Sequence, residues 1–377
     1  MTTTTDVRSI DEVLDELRTW LGANWDPDLT VADWWQRLGL AGWSAPALPA
    51  DAYGRGLTRN DALRVHAEIA AFGALGPPAG LGQLLAAPTI AAHGTPGQVD
   101  RHVRDIVTGQ RAWCQLFSEP GAGSDLAGLG CRAERDGDEF VVNGQKVWTS
   151  MAHVADWCFL LVRTDPSAAR HKGISFLLVD MKTPGISIRP LRQITGEAEF
   201  NEVFFDNVRV PAENLVHKLN EGWAVAITTL AYERDLLTFI RHISLRNALH
   251  RLVKLAKTRG AGEDPIMRQR IAGLWIGEQA LQMNAYRSLT RILRGGAPGP
   301  EGSTSKLFWS QLDQELALTA TEVIGPYSQI AEGSPWAVDH GQWEFYELLA
   351  RGSGIRAGTS EILRNILAER VLGLAKD

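Results

Sequence analysis

From Trp223 to Thr258 the chain reads WAVAITTLAYERDLLTFIRHISLRNALHRLVKLAKT, with no glycine or proline inside it. A helical pattern this long is unusual for one helix of a globular protein, and a helix of that length hides its apolar face only against other long helices. Three further helical stretches supply them: DPIMRQRIAGLWIGEQALQMNAYRSLTRILRGG, STSKLFWSQLDQELALTATEVIG and TSEILRNILAERVLGLAKD. Short Gly/Pro breaks join them, so residues 218–377 are expected to form an antiparallel four-helix bundle.

The preceding residues divide in two. Residues 1–112 show helical periodicity in IDEVLDELRTWL, TVADWWQRLGL, NDALRVHAEIAAFG and TPGQVDRHVRDIVTG, the last two opening after Asn60 and Thr95 as N-cap candidates. Residues 113–217 change to short β-rich runs such as CQLFS, DEFVVNGQKVWTS, DWCFLLVRTD, GISFLLVDM and NEVFFDNVRVP. Asn143-Gly144 reads as a two-residue hairpin turn. The expected fold is mainly α with a central β-domain: an N-terminal helical domain, a middle β-barrel or sandwich and a C-terminal bundle. The absence of strand–helix alternation argues against a Rossmann or TIM architecture.

Composition removes several function classes. The 377 residues are 45% hydrophobic and 22% charged with a net charge of -6, which gives no basic footprint for nucleic acid. The start MTTTTDVRSIDEVLDEL lacks the basic and apolar regions of a secretory signal, and no window approaches a membrane span, so no membrane association and a cytoplasmic location are expected. Cys114, Cys131 and Cys158 have no metal spacing and read as small buried hydrophobes, and the nine histidines show no ligand pattern, so no metal is expected. His242 and His250 fall among arginines and read as a solvated face. Most of the thirteen tryptophans read as core, with one or two left to border a planar ligand.

Three stretches carry candidate chemistry. Ser118-Glu119-Pro120-Gly121-Ala122-Gly123-Ser124-Asp125 would bring backbone N–H groups close to a hydrogen-bond-accepting ligand, although Gly/Ser/Asp turns are also ordinary loop chemistry. Asn143-Gly144-Gln145-Lys146-Val147-Trp148-Thr149-Ser150 presents an indole and two hydroxyls, or else a core tryptophan. Glu233 shares its helical face with Ala226, Thr229, Leu230, Leu236, Leu237 and Ile240. A carboxylate in an apolar arc is desolvated, which raises its pKa and makes it a better base near neutrality; the alternative is a buried ion pair with an arginine of another helix.

Together WCQLFSEPGAGSDLAGL, VVNGQKVWTS, GISFLLVDMKTPGI, EVFFDNVRVPAENLV and GTSEILRNILAERVLGL resemble the acyl-CoA dehydrogenase family along essentially the whole chain. The resemblance implies that family's fold, one FAD per subunit, a tetramer, an acyl-CoA substrate and an electron-transfer flavoprotein as acceptor. By position it assigns Gln115, Phe117, Ser118, Gly123 and Ser124 to the loop along the flavin, with Ser124 also near the thioester. Trp148 and Ser150 match the family's Trp-x-Thr/Ser beside the isoalloxazine. Arg259 matches an arginine that reaches the FAD pyrophosphate of a neighbouring subunit, and Thr359 and Glu361 match contacts to the adenosine half.

The family reaction removes the α hydrogen of an acyl thioester as a proton while the β hydrogen leaves as hydride to flavin N5. The enolate is stabilised by a ribityl hydroxyl and by a backbone N–H that here belongs to Ala357, followed by Gly358. Many members place the base, a glutamate, at that alanine. In the branch typified by isovaleryl-CoA dehydrogenase it comes instead from the long helix in a Leu-x-x-Glu-Arg context, filled here by Leu230-Ala231-Tyr232-Glu233-Arg234. The resemblance therefore implies Glu233 as base and Arg234 as a CoA contact.

Where the family has Arg-x-x-Phe-Gly this chain has Arg259-Gly260-Ala261-Gly262-Glu263, without the phenylalanine that meets the partner's flavin. Either a homotetramer or a heterotetramer with a related chain is consistent with that loss. Three further readings stand beside the leading one: a carrier-protein-bound acyl substrate, an oxygen-using flavoenzyme, and a non-catalytic subunit of a heterotetramer.

Overall fold

The computed structural model describes residues 8–294, 299 and 302–376, and the side chains of 233–240 and 292–293 lie outside that description. The chain divides into two compact units, one of Met1–Leu191 with Glu199–Tyr232, the other of Arg192–Ala198 with Glu233–Asp377.

The first unit begins with α1 (Ile10–Asn24), α2 (Val31–Leu40) and α3 (Arg59–Phe72). Ser9 starts α1 with a capping box to Glu12, which satisfies donors the first turn leaves unpaired. Thr58 caps α3, its hydroxyl accepting from Asp61 N–H at 3.2 Å. The start expected at Asn60 is thus two residues late, because Thr58 combines a β-region backbone with a side-chain acceptor three residues before Asp61. Trp34 is fully buried at the centre of the three helices, with Trp20 and Trp25 at 5.7 and 4.7 Å, and its indole N–H donates to Leu75 C=O at 2.7 Å. Beyond them α4 (Ala87–His93) follows a π turn, and α5 (Pro96–Gln98) and α6 (Arg104–Val107) flank another. Thr95 caps α5 as expected, in a capping box with Gln98.

One eight-stranded sheet completes the unit: β1 (Trp113–Leu116), β2 (Arg132–Asp136), β3 (Glu139–Ser150), β4 (Trp157–Arg163), β5 (Ile174–Asp180), β6 (Ile186–Leu191), β7 (Phe200–Pro211) and β8 (Leu215–Val216). Its order is β6-β7-β3-β2-β4-β5-β8, with β1 parallel to β4. β4 and β5 are buried almost throughout and read as continuous apolar runs, whereas the outer part of β3 alternates.

Asn143-Gly144 is not a hairpin turn. β3 passes straight through it, and the chain reverses earlier, at Gly137 with φ 62° between β2 and β3. At Gly144 the register against β7 shifts, φ is 147°, and a Cβ would stand 2.7 Å from the Cα of Cys131. Asn143 Oδ1 accepts the backbone N–H of Asn207 at 2.8 Å. An Asn-Gly pair serves a bulge as well as a turn, since both use a side-chain hydrogen bond and a φ that only glycine adopts without strain.

The long helix is a single element, α7 (Gly222–Thr258), shared between the units. In the second unit it is followed by α8 (Pro265–Leu293), α9 (Gly302–Ile324), α10 (Gln342–Ala350) and α11 (Ser360–Ile366), which continues into a π turn over Leu367–Val371. α10 has no counterpart in the sequence reading. Leu245, Leu249 and Leu252 of α7, Leu274 and Leu281 of α8, and Trp309 of α9 belong to one core. His242 is buried and not on a solvated face: its Nε2 lies 3.0 Å from Oε1 of the fully buried Glu278. His250 is exposed, and all three cysteines are buried and free.

Candidate active site

The first unit presents the glycine loop and the indole strand as one braced structure. β1 ends at Leu116, and Phe117 is buried with its ring edge-on to Phe159 and Phe176 at 5.8 and 6.1 Å. Gln115 is half-buried on β1. The next carbonyl, of Ser118, accepts from Val147 N–H at 2.9 Å, which ties the loop to β3. Glu119 and Ala122 exchange both backbone hydrogen bonds, at 3.1 and 3.0 Å, so Pro120-Gly121 becomes a tight tip.

Two charged side chains that the sequence reading did not single out hold this loop. Lys146 is fully buried; its ammonium donates to Phe117 C=O at 3.0 Å and to Glu119 Oε1 at 2.7 Å. The same carboxylate accepts from the N–H groups of Gly130 and Cys131 at 2.7 and 3.0 Å. Both residues sat inside the two motif stretches, and a lysine amid the apolar run VVNGQKVW was the available signal. Cys131 belongs to the same packing, and burial pushes its thiol up to about 11, so it stays protonated and inert.

Gly121 and Gly123 have no positive φ, and an added Cβ at either would meet nothing within 4 Å. Neither backbone conformation nor packing among the described residues calls for glycine there. A ligand approaching the backbone closely would call for it. Ser124 is exposed beside them, and Ser118 is half-buried.

On β3 the register shifts again between Lys146 and Thr149, so Lys146, Val147 and Thr149 point inward while Trp148 turns out. Trp148 is 62% exposed, sits at φ 60° and touches Phe200 edge-on at 6.0 Å. A non-glycine residue in this region costs about 1–2 kcal/mol, a strain that clusters at ligand sites. Ser150 is half-buried two residues on. A flat, exposed indole on a strand tied to a loop whose glycines have open space around them fits the edge of a ring system. Trp148→Gly removes the ring and the strain together. It is expected to leave the melting temperature unchanged or raised while FAD is lost on gel filtration; a variant that keeps FAD as wild type does would remove Trp148 from the site.

In the second unit, Ala357 and Gly358 are exposed in a loop, at φ 55° and 93°. Thr359 caps α11, its hydroxyl accepting from Ile362 N–H at 3.2 Å, and Glu361 pairs with Arg364 at 3.3 Å on the surface. Lys306 of α9 donates to the carbonyls of Ser353 and Gly358, and Asp313, two turns along the same helix, accepts from Tyr346 and Ser353. Sequence reasoning missed both; their seven-residue spacing on an otherwise largely buried helix was the signal. Arg259 is exposed past the end of α7, donates to Ile324 C=O at 3.2 Å and stands 5.9 Å from the ring of Tyr327. The side chains of Glu233 and Arg234 lie outside the described residues; upstream on that face, Ala226 and Thr229 are buried. Among the described residues no cluster suited to a metal ion is present.

Comparison with known proteins identifies the family. The acyl-CoA dehydrogenase N-terminal domain matches residues 10–110, the middle domain 114–208 and the C-terminal domain 220–372. The chain belongs to the acyl-CoA dehydrogenase family. It is an oxidoreductase that acts on a CH–CH group, introducing a double bond between the α and β carbons of an acyl-CoA. It is 41% identical over 348 residues to acyl-CoA dehydrogenase IpdE1 of Mycobacterium tuberculosis, covering 91% of this chain and 88% of that one. The solved Tcur3481-Tcur3483 steroid ACAD superposes with a TM-score of 0.80 at 28% identity, covering 99% of this chain and 100% of that one. The ChsE4-ChsE5 complex from Mycobacterium tuberculosis gives 0.73 at 28% identity, covering all of both chains. The family uses FAD.

Proposed function

We propose that this chain holds FAD and desaturates a bulky, ring-bearing acyl-CoA, with Glu233 as base, in a complex with a related chain. The observation that carries the cofactor is Trp148, exposed at positive φ beside Ser150 and in the same unit as the open glycines of the Ser118–Asp125 loop. FAD, when bound, supplies the acceptor for the β hydrogen. The chain's own residues do the remainder. The Gly121–Ser124 backbone and Trp148 would hold the ring, with Ser124 assigned by the resemblance to its thioester end. The Ala357 N–H, followed by the unhindered Gly358, donates to the thioester carbonyl and holds the charge that develops when the α proton leaves. Ala357 has no side-chain acceptor for that proton, and the Leu-x-x-Glu-Arg match on the long helix implies Glu233 as its acceptor, with Arg234 toward the CoA.

Three observations support a ring-bearing substrate and a partner chain. The relatives include a solved protein described as a steroid ACAD and one described as a complex of two named chains. Alanine in place of a carboxylate at position 357 frees volume beside the carbonyl. α8 also carries an exposed apolar set, with Ile266 at 73% and Ile276 at 69%, together with Trp275 and Met283. A partner helix would cover such a face.

The test is co-expression and co-purification with candidate related chains, followed by anaerobic titration with straight-chain, branched and steroid-derived acyl-CoAs. A yellow complex bleached best by the ring-bearing thioester is expected. A colourless complex, or equal bleaching by short straight chains, would overturn the reading. Slow reoxidation in air and fast reoxidation by an electron-transfer flavoprotein are expected as well; fast reoxidation by air would make the protein an oxidase.

A further inference from the structure

The loop that carries Ala357 is spanned by one ammonium. Lys306 is buried on α9, and its Nζ donates to Ser353 C=O at 3.0 Å and to Gly358 C=O at 2.7 Å, so its two contacts bracket Ala357. Asp313 secures the near end: it accepts from the hydroxyls of Ser353 and, at 2.5 Å, of Tyr346, while Arg356 donates to Ser353 Oγ at 3.3 Å. Burial and the Asp313 carboxylate push the Tyr346 phenol far up, so it remains a donor. Ala357 itself is held at φ 55°, a conformation that an alanine leaves unless its neighbours fix it.

We propose that Lys306 is a positioning residue, which fixes the carbonyls on either side of Ala357 and thereby aims the Ala357 N–H at the thioester carbonyl. This rests on the donor role proposed above for that N–H. Lys306 touches neither substrate nor cofactor in this scheme. It acts through the peptide that does, and a displacement of about 1 Å at such a donor is enough to lower a rate about 100-fold.

The setting makes the hold sensitive to pH. Burial, then the guanidiniums of Arg241 and Arg356 beside Trp309, bring Lys306 down to about 8, against the opposing charge of Glu361. Asp313 faces the same loop through Ser353. As pH rises through about 8 the ammonium loses its proton and its grip on the two carbonyls weakens. The effect of this lysine on stability has the opposite sign. Its folded pKa lies below the unfolded value of 10.5, so between about 8 and 10.5 the unfolded chain binds more protons and the contribution to stability rises with pH. A rate that falls in that window while the melting temperature does not is therefore a positioning effect.

The experiment compares wild type and Lys306→Met holoenzyme in two readouts. The first is the rate of flavin reduction per bound flavin from about pH 6 to 10. The second is the infrared carbonyl stretch of a bound 3-oxa-acyl-CoA, labelled with 13C at the thioester carbonyl and unable to lose hydrogen from the oxygen at its β position. Expected are a rate about 100-fold lower at neutral pH, loss of the alkaline limb, and a carbonyl band shifted back toward its position in water. A variant that keeps both the wild-type rate and the wild-type band shift overturns the inference about Lys306. If wild type itself shows no band shift, the donor role of Ala357 fails, and the inference with it. Should Lys306→Met not fold, the wild-type profile decides alone: a rate that falls through about pH 8 with no fall in melting temperature supports the inference, and a flat profile overturns it.

Discussion

Glu233→Gln should slow flavin bleaching by acyl-CoA about 10²–10⁴-fold, the range by which positioned proton transfer accelerates such steps, while FAD content and melting temperature stay close to wild type. A thioester α-proton is weakly acidic, and the bond does not break at a useful rate unless a base accepts the proton as the β hydrogen departs. Glutamine preserves the volume and polarity of the side chain but offers only a weakly basic amide oxygen. The other position from which the family supplies a carboxylate is Ala357, whose methyl group accepts nothing. Stopped-flow reduction under anaerobic conditions separates this step from reoxidation. Reduction of Glu233→Gln at the wild-type rate would show that the proton goes elsewhere. Adding Ala357→Glu to the slow variant should recover part of the rate, because the backbone at 357 already sits at φ 55° with an L-residue in place and a longer side chain adds no backbone strain there.

What the sequence disclosed followed the physics of periodicity. α7, α8 and α9 could be placed because long amphipathic patterns persist for many turns, and Thr95 could be read as a cap because its hydroxyl acts within four residues. What it concealed depended on partners far along the chain. Asn143-Gly144 has the composition of a turn, and only the proximity of Cys131 and the pairing with Asn207 make it a bulge inside β3. His242 sits among arginines in sequence but faces Glu278, thirty-six positions away, across the core of the second unit. The glycine loop and the indole strand were legible as separate motifs. That Lys146 binds one to the other was not, since a lysine is read as solvated until a carboxylate is shown beside it. Lys306 and Asp313 escaped for the same reason, being charged residues whose partners are backbone carbonyls and hydroxyls of a distant loop.

Glu119→Ala is expected to destabilise the protein by about 3–5 kcal/mol, the usual cost of removing one member of a buried ion pair. The substitution leaves the Lys146 ammonium fully buried with only the Phe117 carbonyl, and it strips the acceptor from the N–H groups of Gly130 and Cys131. The loss also has a local consequence, because Glu119 joins the Ser118–Asp125 loop to Gly130-Cys131 and, through Lys146, to the strand that carries Trp148. FAD retention should therefore fall by more than stability alone accounts for. Removing both charges, in Glu119→Leu with Lys146→Met, should cost less than Glu119→Ala, since no ion is then left buried without its partner. Urea unfolding of Glu119→Leu, Lys146→Met and the double variant gives the coupling directly, and FAD absorbance at concentrations of urea below the transition reports the loop. A Glu119→Ala protein that unfolds at the wild-type midpoint and keeps its flavin would show that the backbone exchange between Glu119 and Ala122, rather than the ion pair, is what sets the loop's shape.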